Sequence, residues 1–224
     1  MNEDRLREYE ADMTPLGAAR QIVNTLWPRG ACSPEPRVIL DPAAGNGSIG
    51  IALRERFPMA TLVAVEPRVE CRPALERIYT HVNTMTLEQF ACMSFPYLPC
   101  TEGFFAFDAV ITNPPFSMLR EFIERGHRFV KASGSVTYLA LSTFGQAHAW
   151  REILSQRPVI DQHRIGGRLS FRTGRTNPKT GKPYGADQRD YSWWTWRPGY
   201  GVGMSWRCTQ LPTLSASERR SEAG

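Results

Sequence analysis

Residues 37–57 read RVILDPAAGNGSIGIALRERF, a short β-rich run, a glycine-rich bend and a helical stretch stopped by Pro58. This segment constrains the fold more than any other, because a buried strand delivered through a bend into a helix is the first half of a β-α-β unit. The chain then repeats the alternation. TLVAVEP (61–67), FDAVIT (107–112) and SVTYLALS (135–142) are further apolar, β-rich runs, with a weaker one near 81–86. Helical periods lie at 14–27, 74–79, 116–132 and 148–157, and the first opens on Thr14-Pro15, a cap followed by proline at the first helical position. Strands alternating with helices predict an α/β fold with a mostly parallel, doubly wound sheet covered on both faces. YSWWTW (191–196), a Pro-Gly turn and GVGMSWRC (201–208) predict an antiparallel C-terminal hairpin. A chain of 224 residues suits one domain over 13–210, with a charged arm or surface helix at 1–12 and a disordered tail at 211–224.

The bend Gly45-Asn46-Gly47-Ser48-Ile49-Gly50 fits G-x-G-x-x-G, and Glu66 follows at the end of the next strand, as in a dinucleotide site. Two features oppose that reading. Asp41-Pro42-Ala43-Ala44 intervenes before the first glycine, and a carboxylate at Asp41 would repel a pyrophosphate at the helix N-terminus. A ligand with ribose, adenine and positive charge but no phosphate fits better. S-adenosylmethionine is such a ligand: its ammonium and sulfonium favour Asp41, and its ribose hydroxyls suit Glu66. A tight turn that only seats helix on strand is the plainer alternative.

FDAVIT ends in Asn113-Pro114-Pro115-Phe116. Each proline holds the residue before it extended, and neither has an N–H. The Asn113 side-chain carbonyl and the Pro114 carbonyl can therefore be held as two acceptors, with an aromatic ring beside them. That suits a planar group bearing NH2. An exocyclic amine on a nucleobase is a poor nucleophile, because its lone pair is delocalised into the ring. Accepting both hydrogens returns that lone pair, and positioning and fixed dipoles then carry the rate. Phe116 would stack on the base. The plainer alternative is a rigid turn.

Together these motifs resemble class I S-adenosylmethionine-dependent methyltransferases of the adenine-N6 DNA type, in the subgroup whose cofactor motif precedes the catalytic one. The resemblance spans about residues 12–208, and RLSF followed by YSWWTW is similar to the closing portion of phage and prophage adenine methyltransferases. It implies a Rossmann-like methyltransferase fold, methyl transfer from S-adenosylmethionine to adenine N6 in DNA, S-adenosylhomocysteine as product, and no metal. It assigns cofactor binding to Thr14, Pro15, Asp41, Pro42, Gly45, Gly47 and Glu66, and catalysis to Asn113, Pro114, Pro115 and Phe116. The family's acidic residue after its third strand has no counterpart here; THVNTMTLEQF offers Thr84 and Thr86, and neither is assigned.

The target amine lies inside a duplex, so the base must be flipped out or supplied single-stranded. Arg164, Arg168, Arg172, Arg175, Lys179, Lys182 and Arg189 fall close together in a chain of net charge +5, which makes 164–190 the candidate DNA-contact loop. Arg168, Phe171, Arg172, Arg175 and Lys179 are its candidate contacts, although an ordinary solvated loop is the alternative. Phe171 is either a second face for the base or a loop anchor. Strand alternation puts Trp193 on one face and Trp194 and Trp196 on the other, as in a strand buried on both sides. No large recognition domain is expected, so the recognised site is short or relaxed, or a homodimer or second subunit assists. RNA adenine and a protein glutamine amide are the rival substrates. Five cysteines without CxxC spacing and four scattered histidines predict a reduced, metal-free protein. The charged N-terminus lacks a signal peptide's apolar core. With no apolar span of ~20 residues, the expected location is the cytoplasm of a bacterial or phage-infected cell.

Overall fold

The computed structural model describes residues 13–31, 34–92, 107–146, 148–172, 176–177, 181–182, 185–199 and 206–220. The expected arm at 1–12, together with Arg175 and Lys179, lies outside the described residues. Eight strands are present among the described residues: β1 Val38–Asp41, β2 Thr61–Val65, β3 His81–Asn83, β4 Phe107–Thr112, β5 Val130–Leu141, β6 Asp161–Gly166, β7 Tyr191–Trp196 and β8 Arg207–Thr213. They form one sheet in the order β3-β2-β1-β4-β5-β7-β6-β8. The pairs β1/β2, β2/β3, β1/β4 and β4/β5 are parallel, so the central sheet is of the doubly wound, parallel kind expected. The helices are α1 Leu16–Leu26, α2 Ser48–Arg56, α3 Arg72–Leu75, α4 Leu87–Ala91, α5 Leu119–Phe129 and α6 Arg151–Gln156.

The sheet separates two apolar cores. Ala18, Ile22, Leu53, Leu62 and Trp193 belong to one, and Leu40, Val63, Phe122, Trp194 and Trp196 to the other. The tryptophans thus divide between the faces as period-two alternation requires. Nothing exposed remains of them for stacking on bases.

Four local details differ from the sequence expectation. Antiparallel strands do close the sheet near the C-terminus, but β7 pairs with β5 on one side and β6 on the other, while β8 pairs parallel to β6. Of the anticipated hairpin, residues 201–205 lie outside the described residues, and 191–196 pairs with β5 and β6 instead: β7, apolar on both faces, takes the doubly flanked position. The tail is ordered over 211–220. Leu211 and Leu214 join the core, and Gln21 Nε2 donates to Pro212 O at 2.7 Å, which ties the segment to α1. The helix after Asn113 stops at Phe129 and β5 starts at Val130, so Gly134 lies inside the strand, where the β4/β5 pairing jumps from Phe107↔Val130 to Ala109↔Ser135. Pro15 is the N-cap of α1 instead of its first helical residue, leaving Thr14 before the helix. No helix among the described residues is long and apolar enough to cross a membrane.

The strand order reverses between β1 and β4. Chain β1-β2-β3 runs one way from that point and β4-β5 the other. In open α/β sheets, ligands sit outside the carboxyl ends of the strands at this reversal. The pairs Ile39↔Ala109 and Leu40↔Val110 bring Asp41 and Asn113 out at the same edge.

Candidate active site

After β1 the chain turns through Ala43 and Ala44 into a bend held to the next strand by Ala44 N–H donating to Val65 O, 3.1 Å. Gly45 (φ 57°) and Gly47 (φ 87°) occupy the left-handed region, and Gly47 is the N-cap of α2. A side chain at Gly47 would meet Ile78 Cδ1 at 2.7 Å, whereas one at Gly45 would point into open space with only Arg68 Nη2 nearby, at 3.9 Å. Gly47 is therefore required for packing, and Gly45 leaves room for a ligand. Gly50 has a third role: an added Cβ would lie 2.3 Å from Tyr79 Cζ. The phenol ring occupies the space a side chain would have taken.

That ring leads to a residue the sequence did not single out. Tyr79 Oη donates to Asp41 Oδ2 at 2.6 Å, in a fully buried contact between residues 38 positions apart. Asp41, 1% exposed, also accepts from Ala43 N–H at 3.4 Å. Burial pushes its carboxyl up to about 6, against hydrogen bonds that pull it down, the one from Tyr79 foremost. Burial, then the neighbouring charge of Asp41, holds the Tyr79 hydroxyl well above its ordinary value, so it remains a donor. Asp41, expected to face the cofactor, is thus buried and engaged by Tyr79 under the bend. The signal in the sequence was Gly50, whose missing side chain admits the ring.

Glu66, 4% exposed, follows β2 directly, beside the bend. Oε2 accepts from Gly45 N–H at 2.8 Å and Arg68 Nη2 at 3.1 Å, while Oε1 accepts from Arg68 N–H at 3.1 Å and Arg68 Nε at 2.7 Å. An ionised carboxylate has about four acceptor directions, and Arg68 takes most of them. A ribose diol at Glu66 would have to displace the Arg68 guanidinium.

Asn113 follows β4 directly. It lines one narrow cleft with Met13, Thr14, Gly45, Asn46 and Ser48, a cavity of about 20 Å³. Thr14, the glycine bend and Asn113 are therefore neighbours, as sequence reasoning required, although admitting a nucleoside calls for widening. The acceptor atom Asn113 Oδ1 is buried and receives no hydrogen bond, while other groups of the residue are engaged. Thr112 Oγ1 donates to Ala43 O at 3.3 Å and so fastens the end of β4 to the bend. Pro114 is buried, Pro115 half-buried. With φ −54° and ψ 125°, Pro115 leads into a short 3-10 turn, Phe116–Met118, before α5. Phe116 is half-buried, its ring stacked on Tyr191 at 5.8 Å between centroids and 24° between planes. Phe171 is buried edge-on against the same Tyr191 at 4.8 Å. It is a loop anchor.

Tyr191 donates to Asp187 Oδ2 at 2.8 Å, and Arg189 forks onto the same carboxylate at 2.9 and 3.1 Å. Despite burial, these bonds bring Asp187 down to about 2. Arg164 stands within β6, not in a loop, and is exposed; Arg168 is exposed and Arg172 half-buried. After β3, Thr86 closes a capping box with Gln89 at the start of α4, while the Thr84 hydroxyl is buried without a hydrogen-bond partner.

Among solved structures, the chain is similar to an S-adenosylmethionine-dependent O-methyltransferase from Thermotoga maritima, at 15% identity and TM-score 0.52, covering 81% of this chain and 65% of that one. An S-adenosylmethionine-dependent methyltransferase from Clostridium acetobutylicum matches at 10% identity and TM-score 0.51, over 84% of this chain and 94% of the other. Precorrin-6y C5,15-methyltransferase from Geobacter metallireducens matches at 16% identity and TM-score 0.50, over 81% and 86%. Likeness at these identities establishes a shared Rossmann-like methyltransferase fold. A comparison with curated protein sequences gives no match. Residues 18–164, well over half the chain and running from α1 into β6, match the methyltransferase small domain. The chain belongs to that family of S-adenosylmethionine-dependent methyltransferases.

Proposed function

We propose that this enzyme methylates the N6 amine of adenine in DNA, with the base flipped out of the duplex or supplied single-stranded. The observation that supports the reading is the shared cleft of Asn113, Thr14 and the glycine bend. It brings the proline-held carboxamide to the edge of the sheet where the cofactor loop opens. Thr14, Gly45, Asn46 and Glu66 would hold S-adenosylmethionine, with Arg68 displaced from Glu66 by the ribose. When bound, the cofactor supplies a methyl group on a positively charged sulfur.

The chain's own residues do the rest. Asn113 Oδ1 accepts a hydrogen of the exocyclic amine, and so does the Pro114 carbonyl. The nitrogen is thereby drawn toward tetrahedral geometry and its lone pair turned out of the ring. In this reading both acceptors would be set before the substrate arrives, which is where preorganised dipoles gain their effect. Phe116, supported from below by Tyr191, offers its other face to the base. An amide is no base, so the surplus proton leaves to water after transfer. Arg168 and Arg172 would contact phosphates, and the net charge of +5 favours a polyanion over a protein glutamine.

A labelled-methyl assay on duplex DNA, single-stranded DNA, RNA and a glutamine-containing protein panel tests the assignment. Label is expected in DNA. Label confined to RNA or to protein would overturn it in favour of that substrate.

A further inference from the structure

A second cavity, of about 310 Å³, opens on the same sheet edge as Asn113, at the ends of β5, β6 and β7. It lies beyond the Phe116–Tyr191 pair from the glycine bend, since Phe116 follows β4 and Tyr191 starts β7. Neighbouring strands are about 4.8 Å apart, so β4 and the β7–β6 pair are separated by roughly 10–15 Å along the edge. That volume is near the lower end of ligand sites, roughly 300–1,000 Å³, and suits one nucleoside.

The floor is built. Gln162, 5% exposed, donates from Nε2 to Ser142 O and to Ser192 Oγ, each at 3.1 Å. The hydroxyls of Ser142 and Ser192 join at 2.7 Å. A satisfied buried network of this kind fixes the shape of a site. The walls are different. Arg164 is exposed and its guanidinium has no hydrogen bond or ion pair among the described residues. The side chains of Gln146 and Asp190, both exposed at the rim, are likewise uncommitted there. Arg189, by contrast, is held by Asp187. The uncommitted set therefore comprises one cation, one carboxamide, one carboxylate and the hydroxyl of the exposed Thr143. That set matches a nucleotide: a guanidinium for phosphate, with a carboxamide that both donates and accepts and a carboxylate that accepts from an exocyclic amine on the base edge.

We propose that this cavity holds a nucleotide flanking the target adenine on the same strand, its phosphate on Arg164 and its base edge on Gln146 and Asp190. The inference rests on the nucleic-acid reading above, and it makes this cavity the place where sequence context is read. Base contacts and phosphate contacts have different signatures. Losing a base contact relaxes preference at one position, whereas losing a phosphate contact weakens binding across all sequences and lowers the salt slope by about one.

The test is a DNA library with one fixed adenine and randomised flanks, methylated by the unaltered protein, Gln146→Ala and Arg164→Gln, with labelled products recovered and sequenced. Melting temperature is measured for each protein. The unaltered protein is expected to show a preference of about tenfold at one position near the adenine, the scale of one good base contact. Gln146→Ala should flatten that position alone, and Arg164→Gln should lower yield on every sequence while keeping the preference. An even flank profile with the unaltered protein, or a preference untouched by Gln146→Ala, overturns the proposal while leaving adenine methylation standing. Absence of label from the whole library with the unaltered protein removes the DNA reading, and this inference with it.

Discussion

In Asn113→Ala, methyl transfer is expected to fall by about 10²–10³-fold, the scale of losing one preorganised polar group in a site of this kind. Cofactor affinity should hold, because in the proposed arrangement the methyl donor would be gripped from the other side of the cleft, by Thr14, the glycine bend and Glu66. Asn113 reaches the cleft from the end of β4, and the proline after it fixes its extended backbone. The substitution leaves that backbone intact and removes only the acceptor. Asn113→Asp keeps an acceptor oxygen and should retain more activity than the alanine variant. Single-turnover rates and calorimetric cofactor titration separate the two effects. An alanine variant with the natural rate would show that the carboxamide does not act on the amine.

Asp41→Asn is expected to stabilise the ligand-free protein at pH 8 and to leave it little changed near pH 4. The carboxyl has a folded value of about 6 against an ordinary 3.8, raised first by burial. Between these values the folded state binds more protons than the unfolded one, so stability falls as pH rises. The favourable share is fully present below the ordinary value and lost as pH passes 6. With about two pK units at stake, the ionised carboxylate costs on the order of 3 kcal/mol at pH 8. Asparagine keeps an acceptor for Tyr79 Oη and carries no charge. A rise of about 5–10 °C in melting temperature at pH 8 follows for a chain of this size, disappearing toward pH 4. The same change should weaken binding of a cationic cofactor, since it removes the negative charge beneath the bend. Equal melting temperatures at pH 8 would mean that Asp41 is not held ionised in an unfavourable place, and the account of the bend would need revision.

The parallel core was legible because its strands are buried on both faces. VIL, TLVAV and AVIT read as unbroken apolar runs, and buried parallel strands have that texture. β6, with the sequence DQHRIG, was not legible. Its polar side chains are used inside the molecule, Gln162 in the cavity floor and Asp161 in a fork with Arg207 at 2.7 and 2.9 Å. β8 was legible only at its start, where it overlaps the expected strand 201–208, for a related reason: it is an edge strand, exposed at all its residues but Leu211. The same applies to the tail, whose order rests on two leucines and on close approach to glycines, with Glu218 against Gly17 and Arg219 against Gly167. At the site, the glycine bend and the NPPF turn were each visible in isolation. Their meeting was expected only through the family resemblance, since it depends on β4 lying beside β1 while β2 and β3 lie on its other side. Tyr79 and Arg68 were invisible for the same reason. Their partners, Asp41 and Glu66, are chosen by packing, and a tyrosine or arginine in a helical or loop stretch announces neither.

The central claim is that a proline-held corner turns the lone pair of an exocyclic amine toward an activated methyl group. Its most direct test is the identity of the methylated nucleoside, obtained by digesting DNA methylated by the purified protein and separating the products with mass detection. The account predicts N6-methyldeoxyadenosine as the product. Methyl on a ring nitrogen of adenine, where the free base is already nucleophilic without help, or on another base altogether, would contradict it.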